Sequence, residues 1–240
     1  MPVDRLARIL ALLSAGGETD PGVALLCRVC ASVTSTNGAV IMILSDDVPS
    51  GSWCTPDKVS HLIEELQYTL GEGPCVDAYH LECSVVEPDL SNPQTVRWPA
   101  FSPVVLQAGV RSVFGFPLRI GAVRLGALGL YRDRAKPLTS NEHADALTVA
   151  DVATRAVLAL QASATPGDIA AELETGANFR FVVHQACGMV AVQLGISVTE
   201  ALIRLRACAF ANDRPINEIG EDIVARRLRF HPRSGEACKQ

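Results

Sequence analysis

Between residues 178 and 230 the apolar positions return every three or four residues in three successive runs, the first two closed by helix stops, and this punctuation dictates three short helices packed together. From Phe179, the positions Val182, Ala186, Met189, Val190 and Leu194 fall on one stripe of a helix about four turns long. Gly195 ends it. Ser197 or Thr199 supplies an N-cap oxygen for a second helix, in which Ala201, Leu202, Leu205 and Cys208 share a face while Arg204 lies outside it. That run stops at Asn212. Pro215 suits the first turn of a third helix, where its missing N–H loses no partner, and Ile219, Ile223, Val224 and Leu228 form the buried side.

Charge separates this segment from the rest. Residues 177–240 hold nine Lys+Arg against six Asp+Glu, whereas the whole chain holds 21 against 26, which leaves 12 against 20 in the first 176 residues. Arg226, Arg227 and Arg229 sit close together, and Arg180, Arg204 and Arg206 lie on the first two helices. The planar guanidinium suits phosphate oxygens and stacks on unpaired bases, as in the recognition of RNA loops. Clustered arginine on a helix also serves as an ordinary solvated face, so charge alone leaves both readings open.

Arg180, the step Gln185-Ala186-Cys187-Gly188, the pair Leu205-Arg206 and the pattern Ile216, Ile219, Ile223 and Val224 together resemble the ANTAR domain, a three-helix RNA-binding module of bacterial transcription antitermination regulators. The resemblance implies binding of RNA stem-loops that favours an antiterminator over a terminator. It implies contacts through Arg180, His184, Gln185, Arg204, Arg206, Arg226 and Arg227. Cys187 stands where the family commonly carries a Lys, so one phosphate contact is absent, and His184 or Arg180 is its substitute. Read from the residues alone, His184 is equally an ordinary surface or capping histidine, and Arg206, one residue after a buried Leu, equally a structural ion-pair partner.

A chain of 240 residues with 48% hydrophobic content accommodates two modest domains, and the charge shift near position 177 favours that division. No apolar run approaches the roughly 18–20 residues needed to cross a bilayer, and residues 1–15 carry Asp4, Arg5 and Arg8 without a signal-peptide cleavage pattern. The expectation is a cytoplasmic protein with reduced thiols and no membrane partner. Cys27 and Cys30 form a C-x-x-C, but they lie in line with Leu26 and Val33 on an apolar helix with no second pair at a usable distance. They read as core, and no metal site is expected.

The first part mixes helices and strands. Residues 38–44 have the length and β-branched content of a buried strand, and residues 112–120 and 123–131 read as a hairpin turning at Gly121-Ala122. Helical stretches are expected at 58–67, 75–81 and 98–108, with a short strand at 84–86. The fold class is α+β: one antiparallel sheet with helices laid on it. LQYTLGEGPCVDAYH from Leu66 and SVFGFPLRIGAVRLGALGLYR from Ser112 resemble the GAF domain as it stands ahead of ANTAR in actinobacterial regulators, with Gly71, Gly73 and Pro74 as turn-formers. The resemblance implies a small ligand, of unknown identity, held between sheet and covering helices. Its candidate lining is Cys75, Trp98, Phe101, Phe114 and Phe116, residue types that equally serve as core. No phosphate-cradling loop or other cofactor signature is present.

Thr139 or Ser140 caps a further helix in which Ala146, Val149, Ala153, Ala156 and Leu160 follow at alternating three- and four-residue steps. These small residues suit either a parallel homodimer or packing on the protein's own sheet. Thr165-Pro166-Gly167 interrupts the helix before another runs from Asp168 into the basic segment. The resulting plan is an N-terminal helix (1–20), a GAF-like sensor (21–160), a helical, coiled-coil connector (161–177), an ANTAR-like module (178–230) and a tail (231–240). The expected output is RNA binding that controls transcription termination, without catalysis. Two alternatives stand beside it. A free methionine sulfoxide reductase or redox sensor would use Cys54, Cys75 and Cys83. A DNA-binding or protein-interaction regulator would use the same three helices, although residues 216–228 offer mainly acids before their arginines, which suits a phosphate-lined groove poorly.

Overall fold

The computed structural model describes residues 2–15, 22–45, 48–54, 57–92, 97–163, 168–212, 214–231 and 237–239, the side chains of 2–3, 22–24, 45, 48–51, 53–54, 160–180 and 237–239 excepted. In chain order these form α1 (Pro2–Ala15), α2 (Gly22–Val33), β1 (Gly38–Ser45), β2 (Val48–Cys54), α3 (Lys58–Leu70), α4 (Pro74–Leu81), β3 (Val85–Glu87), α5 (Phe101–Gln107), β4 (Ser112–Ile120) and β5 (Val123–Arg132). Then follow α6 (Ser140–Ser163), α7 (Asp168–Leu194), α8 (Val198–Ala211), α9 (Ile216–Val224), β6 (Leu228–Phe230) and β7 (Ala237–Lys239). No single helix among the described residues is long and apolar enough to cross a membrane.

Five strands make one antiparallel sheet in the order β2-β1-β5-β4-β3, and helices cover both faces, the α+β architecture expected. Strand alternation divides the core cleanly. Ala39, Ile41 and Ile43 of β1 with Phe114, Phe116 and Leu118 of β4 face α1, α2 and α6. Val40, Met42 and Leu44 of β1, Val113 of β4 and Ala127 of β5 face α3, α4 and α5. The β4–β5 hairpin pairs Ile120 with Val123 across a two-residue turn whose first central residue, Gly121, has φ of +56°, the left-handed value that glycine adopts without penalty. Cys27 and Cys30 are fully buried beneath the first face, as read from sequence.

The alanine stripe of α6 also belongs to that face. Ala146, Val149 and Ala153 are fully buried, and Ala156 packs beside them on the protein's own sheet and α2. These positions therefore offer no seam to a second copy; Leu160 and the 165–167 interruption lie outside the described side chains and residues. α1 is fastened to α6 by Arg5 and Arg8, which share Asp145 at 2.5 and 2.6 Å.

The third core joins the end of α7 to α8, α9 and β6. α7 is continuous from Asp168, so the expected boundary near 178 falls inside one helix. α9 ends at Val224, earlier than the periodicity indicates, because Arg226 turns left-handed at φ of +62° and Leu228 enters β6, which pairs with β7 inside the expected tail. α7 also lies against β2, the edge strand at one end of the five-stranded sheet; the other edge, β3, is three residues long.

Candidate nucleic-acid interface

The three-helix module is built as its sequence suggests. Val183, Ala186, Cys187, Val190 and Ala191 form the buried face of α7, while Phe181, Gln185 and Val192 occupy the opposite, exposed stripe. Gly195 closes α7 with φ of +67°. Ser197 then caps α8 in a reciprocal box: its hydroxyl accepts the Glu200 N–H at 3.2 Å and Glu200 Oε2 accepts the Ser197 N–H at 3.0 Å. The Ser197 N–H and hydroxyl, both donating to Glu200 Oε2, hold its carboxyl below the usual range. Ala201, Leu202, Leu205 and Ala209 bury α8, and Ile216, Ile219 and Ile223 bury α9. Gly220 of α9 approaches Val182 so closely that an added Cβ would stand 3.2 Å from its methyl.

The arginines expected to contact RNA divide into open and engaged. Arg204 and Arg226 are exposed, as is Gln185; His184 is half-buried. Arg227 donates through Nε to Asp222 at 2.7 Å, and Arg214, which sequence reading passed over, reaches Glu218 at 3.1 Å and Asp222 at 2.9 Å. Arg227 and then Arg214 hold the Asp222 carboxyl below its usual range. Arg206 donates through Nε to the Tyr68 carbonyl of α3 at 3.0 Å, so its partner is backbone of the first half and not a carboxylate. Burial lowers its pKa from the free value. Arg180 lies on α7 with its side chain outside the described ones. Cys187 is a core residue, 1% exposed, whose thiol burial pushes up to about 11, so this position faces inward in this chain.

Tyr68 is a further residue that sequence reading missed. It belongs by chain to α3 but is 1% exposed within the module's core. Phe181 and Phe210, 70% and 67% exposed, are the module's open aromatics, and their place off the apolar stripes was the available signal.

The expected ligand lining does not form one cavity. Phe114 and Phe116 face α2 and α6, whereas Cys75, Trp98 and Phe101 lie on the opposite side of the sheet; all five are at most 2% exposed. The reason is the period of two: residues 114 and 116 share a face that 113 and 115 do not. On the α4 side, Gly115 and Gly129 are paired neighbours, and α4 sits directly on them. A Cβ on Gly115 would stand 2.1 Å from the Pro74 carbonyl, and one on Gly129 2.6 Å from Cys75 Sγ. Trp98 is pinned by its indole N–H to Asp77 at 3.2 Å, and Glu72 accepts the Ala100 and Phe101 N–H groups, both at 2.7 Å.

Of the cysteines weighed for redox work, Cys75 is fully buried, its thiol pushed up to about 12 chiefly by burial, and Cys83 is exposed beyond the far end of α4. From Cys75 to the end of α4 at Leu81 the helix alone rises about 9 Å, and Cys83 stands past that end on the surface, so the two thiols are not placed as a resolving pair. The side chain of Cys54 lies outside the described ones. No group of three or more His, Cys, Asp or Glu able to hold a metal occurs among the described residues.

No protein-family model and no curated protein sequence matches the chain. Among solved structures, the chain is similar to the GAF domain of a phosphoenolpyruvate-protein phosphotransferase from Coxiella burnetii at 15% identity, over 67% of this chain and 95% of that one, with a TM-score of 0.48. The GAF domain of the corresponding Acinetobacter protein aligns at 15% identity over 68% and 96%, TM-score 0.48. A free methionine-R-sulfoxide reductase from Neisseria meningitidis, in complex with its substrate, aligns at 16% identity over 68% and 92%, TM-score 0.48.

Proposed function

We infer that the chain is a two-part regulator in which a GAF-like half receives a signal and the C-terminal three-helix module binds folded RNA, controlling transcription termination without catalysis of its own. The observation that carries this reading is a separate helical core that bears exposed Arg204 and Arg226 and exposed Phe181 and Phe210 on its outside. Cations for the phosphate chain and aromatic faces for unstacked bases are the two ingredients of single-stranded loop recognition. The ANTAR resemblance supplies the target class.

A DNA groove suits the surface less well, since α9 presents Glu218 and Glu221 to solvent and Asp222 beside them. The reductase reading meets a Cys75 thiol held neutral by burial, where sulfoxide chemistry needs a thiolate. Where α4 sits on the Gly115–Gly129 pair there is no room for a ligand between helix and sheet.

Crosslinking in the cell followed by sequencing of the bound RNA tests the output and names the target. On a purified target, affinity should fall with added salt, and Arg204→Ala and Arg226→Ala should each flatten that slope by roughly 0.7–0.9. Salt-independent binding, or none, ends the proposal.

A further inference from the structure

The C-terminal end of α3 serves two cores through adjacent residues. Gln67 is fully buried and turns into the first half, where its Oε1 accepts the Cys75 N–H at 2.7 Å at the start of α4. Tyr68 turns the other way, into the core of the three-helix module. Its carbonyl is one of the last four of α3, which have no partner within their own helix, and Arg206 supplies the missing donor at 3.0 Å. The negative end of the helix dipole lies there too, and it favours a cation.

The space for that guanidinium exists because position 71 has no side chain. Gly71 caps α3 at φ of +70°, and a Cβ built on it would stand 2.5 Å from Arg206 Nη1 and 3.0 Å from Cζ. Around Arg206 on the same side of α8, at i−3 and i+4, Ile203 and Phe210 are 58% and 67% exposed. Leu202 and Ala209, at i−4 and i+3, are buried, so Arg206 stands at the margin between the buried side of α8 and its open one.

We propose that this contact is a clasp: it seats the three-helix module on the sensor half and withholds Arg206 from RNA phosphate, so that docking and RNA binding compete for one guanidinium. The inference rests on the RNA-binding reading above. Because Gln67 and Tyr68 are consecutive, a rearrangement at the α3–α4 junction that displaces Gln67 also displaces the carbonyl that holds Arg206. The coupling is reciprocal, and RNA that captures Arg206 loosens the docking.

The test uses the full chain and a fluorescein-labelled RNA of two stem-loops with randomised loops. Gly71→Asn keeps a residue that tolerates the left-handed backbone and drives its Cβ into the Arg206 position. Its expected phenotype is RNA binding at least fivefold tighter than wild type, loss of that gain when Arg206→Gln is added, and faster hydrogen exchange in residues 202–209 of α8. Tyr68→Leu replaces it if circular dichroism shows that Gly71→Asn does not fold. Equal RNA affinities with faster α8 exchange overturn the competition and leave RNA binding intact. Absence of RNA binding in both proteins, with faster α8 exchange, overturns the RNA reading and the competition with it. Unchanged α8 exchange overturns the clasp itself.

Discussion

Cys75 shows how far one side chain can be argued from its surroundings. It enters the first turn of α4, packs against Gly129 and accepts no solvent. Native-state alkylation should therefore label Cys83 and leave Cys75 unmodified until the protein unfolds, as peptide mapping reads directly. The raised thiol pKa has a sign that can be worked out. The folded state holds the proton more tightly, so the contribution to stability is complete below the free-thiol value near 9.0 and is lost as pH rises towards about 12. Urea midpoints should fall across that interval, and less steeply in Cys75→Ala. Ser197→Ala should cost about 1 kcal/mol in the same assay, because one hydroxyl closes the box at the start of α8. Sequence made Cys27, Cys30 and the Ser197 cap legible, since each depends on its own helix. The destination of Tyr68 depends on what a distant helix presents to it, and no local pattern records that.

Among the elements, those with strong periodicity were readable nearly to their ends. α3, α4, β1, β3, β4 and β5 fall within a few residues of the expected limits. β2 was not foreseen: VPSGSWC carries a proline, a glycine and two serines, poor strand formers in isolation, and it becomes a strand because β1 offers it a hydrogen-bonding edge. β6 is too short for any period to show. The expected pocket lining, taken from the GAF resemblance, is divided for a different reason: β4 sends Phe114 and Phe116 to one face of the sheet, and Cys75, Trp98 and Phe101 pack on the other. Gly115→Ala tests the seating of α4. With backbone as the obstacle at 2.1 Å, relief requires moving α4 or β4, and we expect a loss of at least about 1–3 kcal/mol by denaturant unfolding. Ala153→Leu tests the α6 stripe. Overpacking against the sheet should lower stability by a similar ~1–3 kcal/mol, whereas a seam between two copies would gain apolar area and raise the dimer fraction in sedimentation.

For the whole molecule, Tyr68 is a side chain of the first half that lies in the core of the three-helix module. Its removal should cost about 3–5 kcal/mol, as for other buried aromatic deletions, and should do so unevenly, loosening the three-helix module before the sheet. Calorimetry of Tyr68→Ala is expected to resolve two transitions where the wild type shows one; a single shifted transition would mean that other contacts unite the halves. The division into a sheet-bearing and a helical part was visible in charge and periodicity. The way they are joined was not, because α7 runs unbroken through the place where composition changes.

Both rims of the main sheet are interrupted. α7 lies against the outermost strand on one side, and on the other β3 pairs with β4 over only three residues, so neither rim presents one long straight strand for a foreign chain to extend. Growth of the sheet by strands from other molecules is thereby disfavoured.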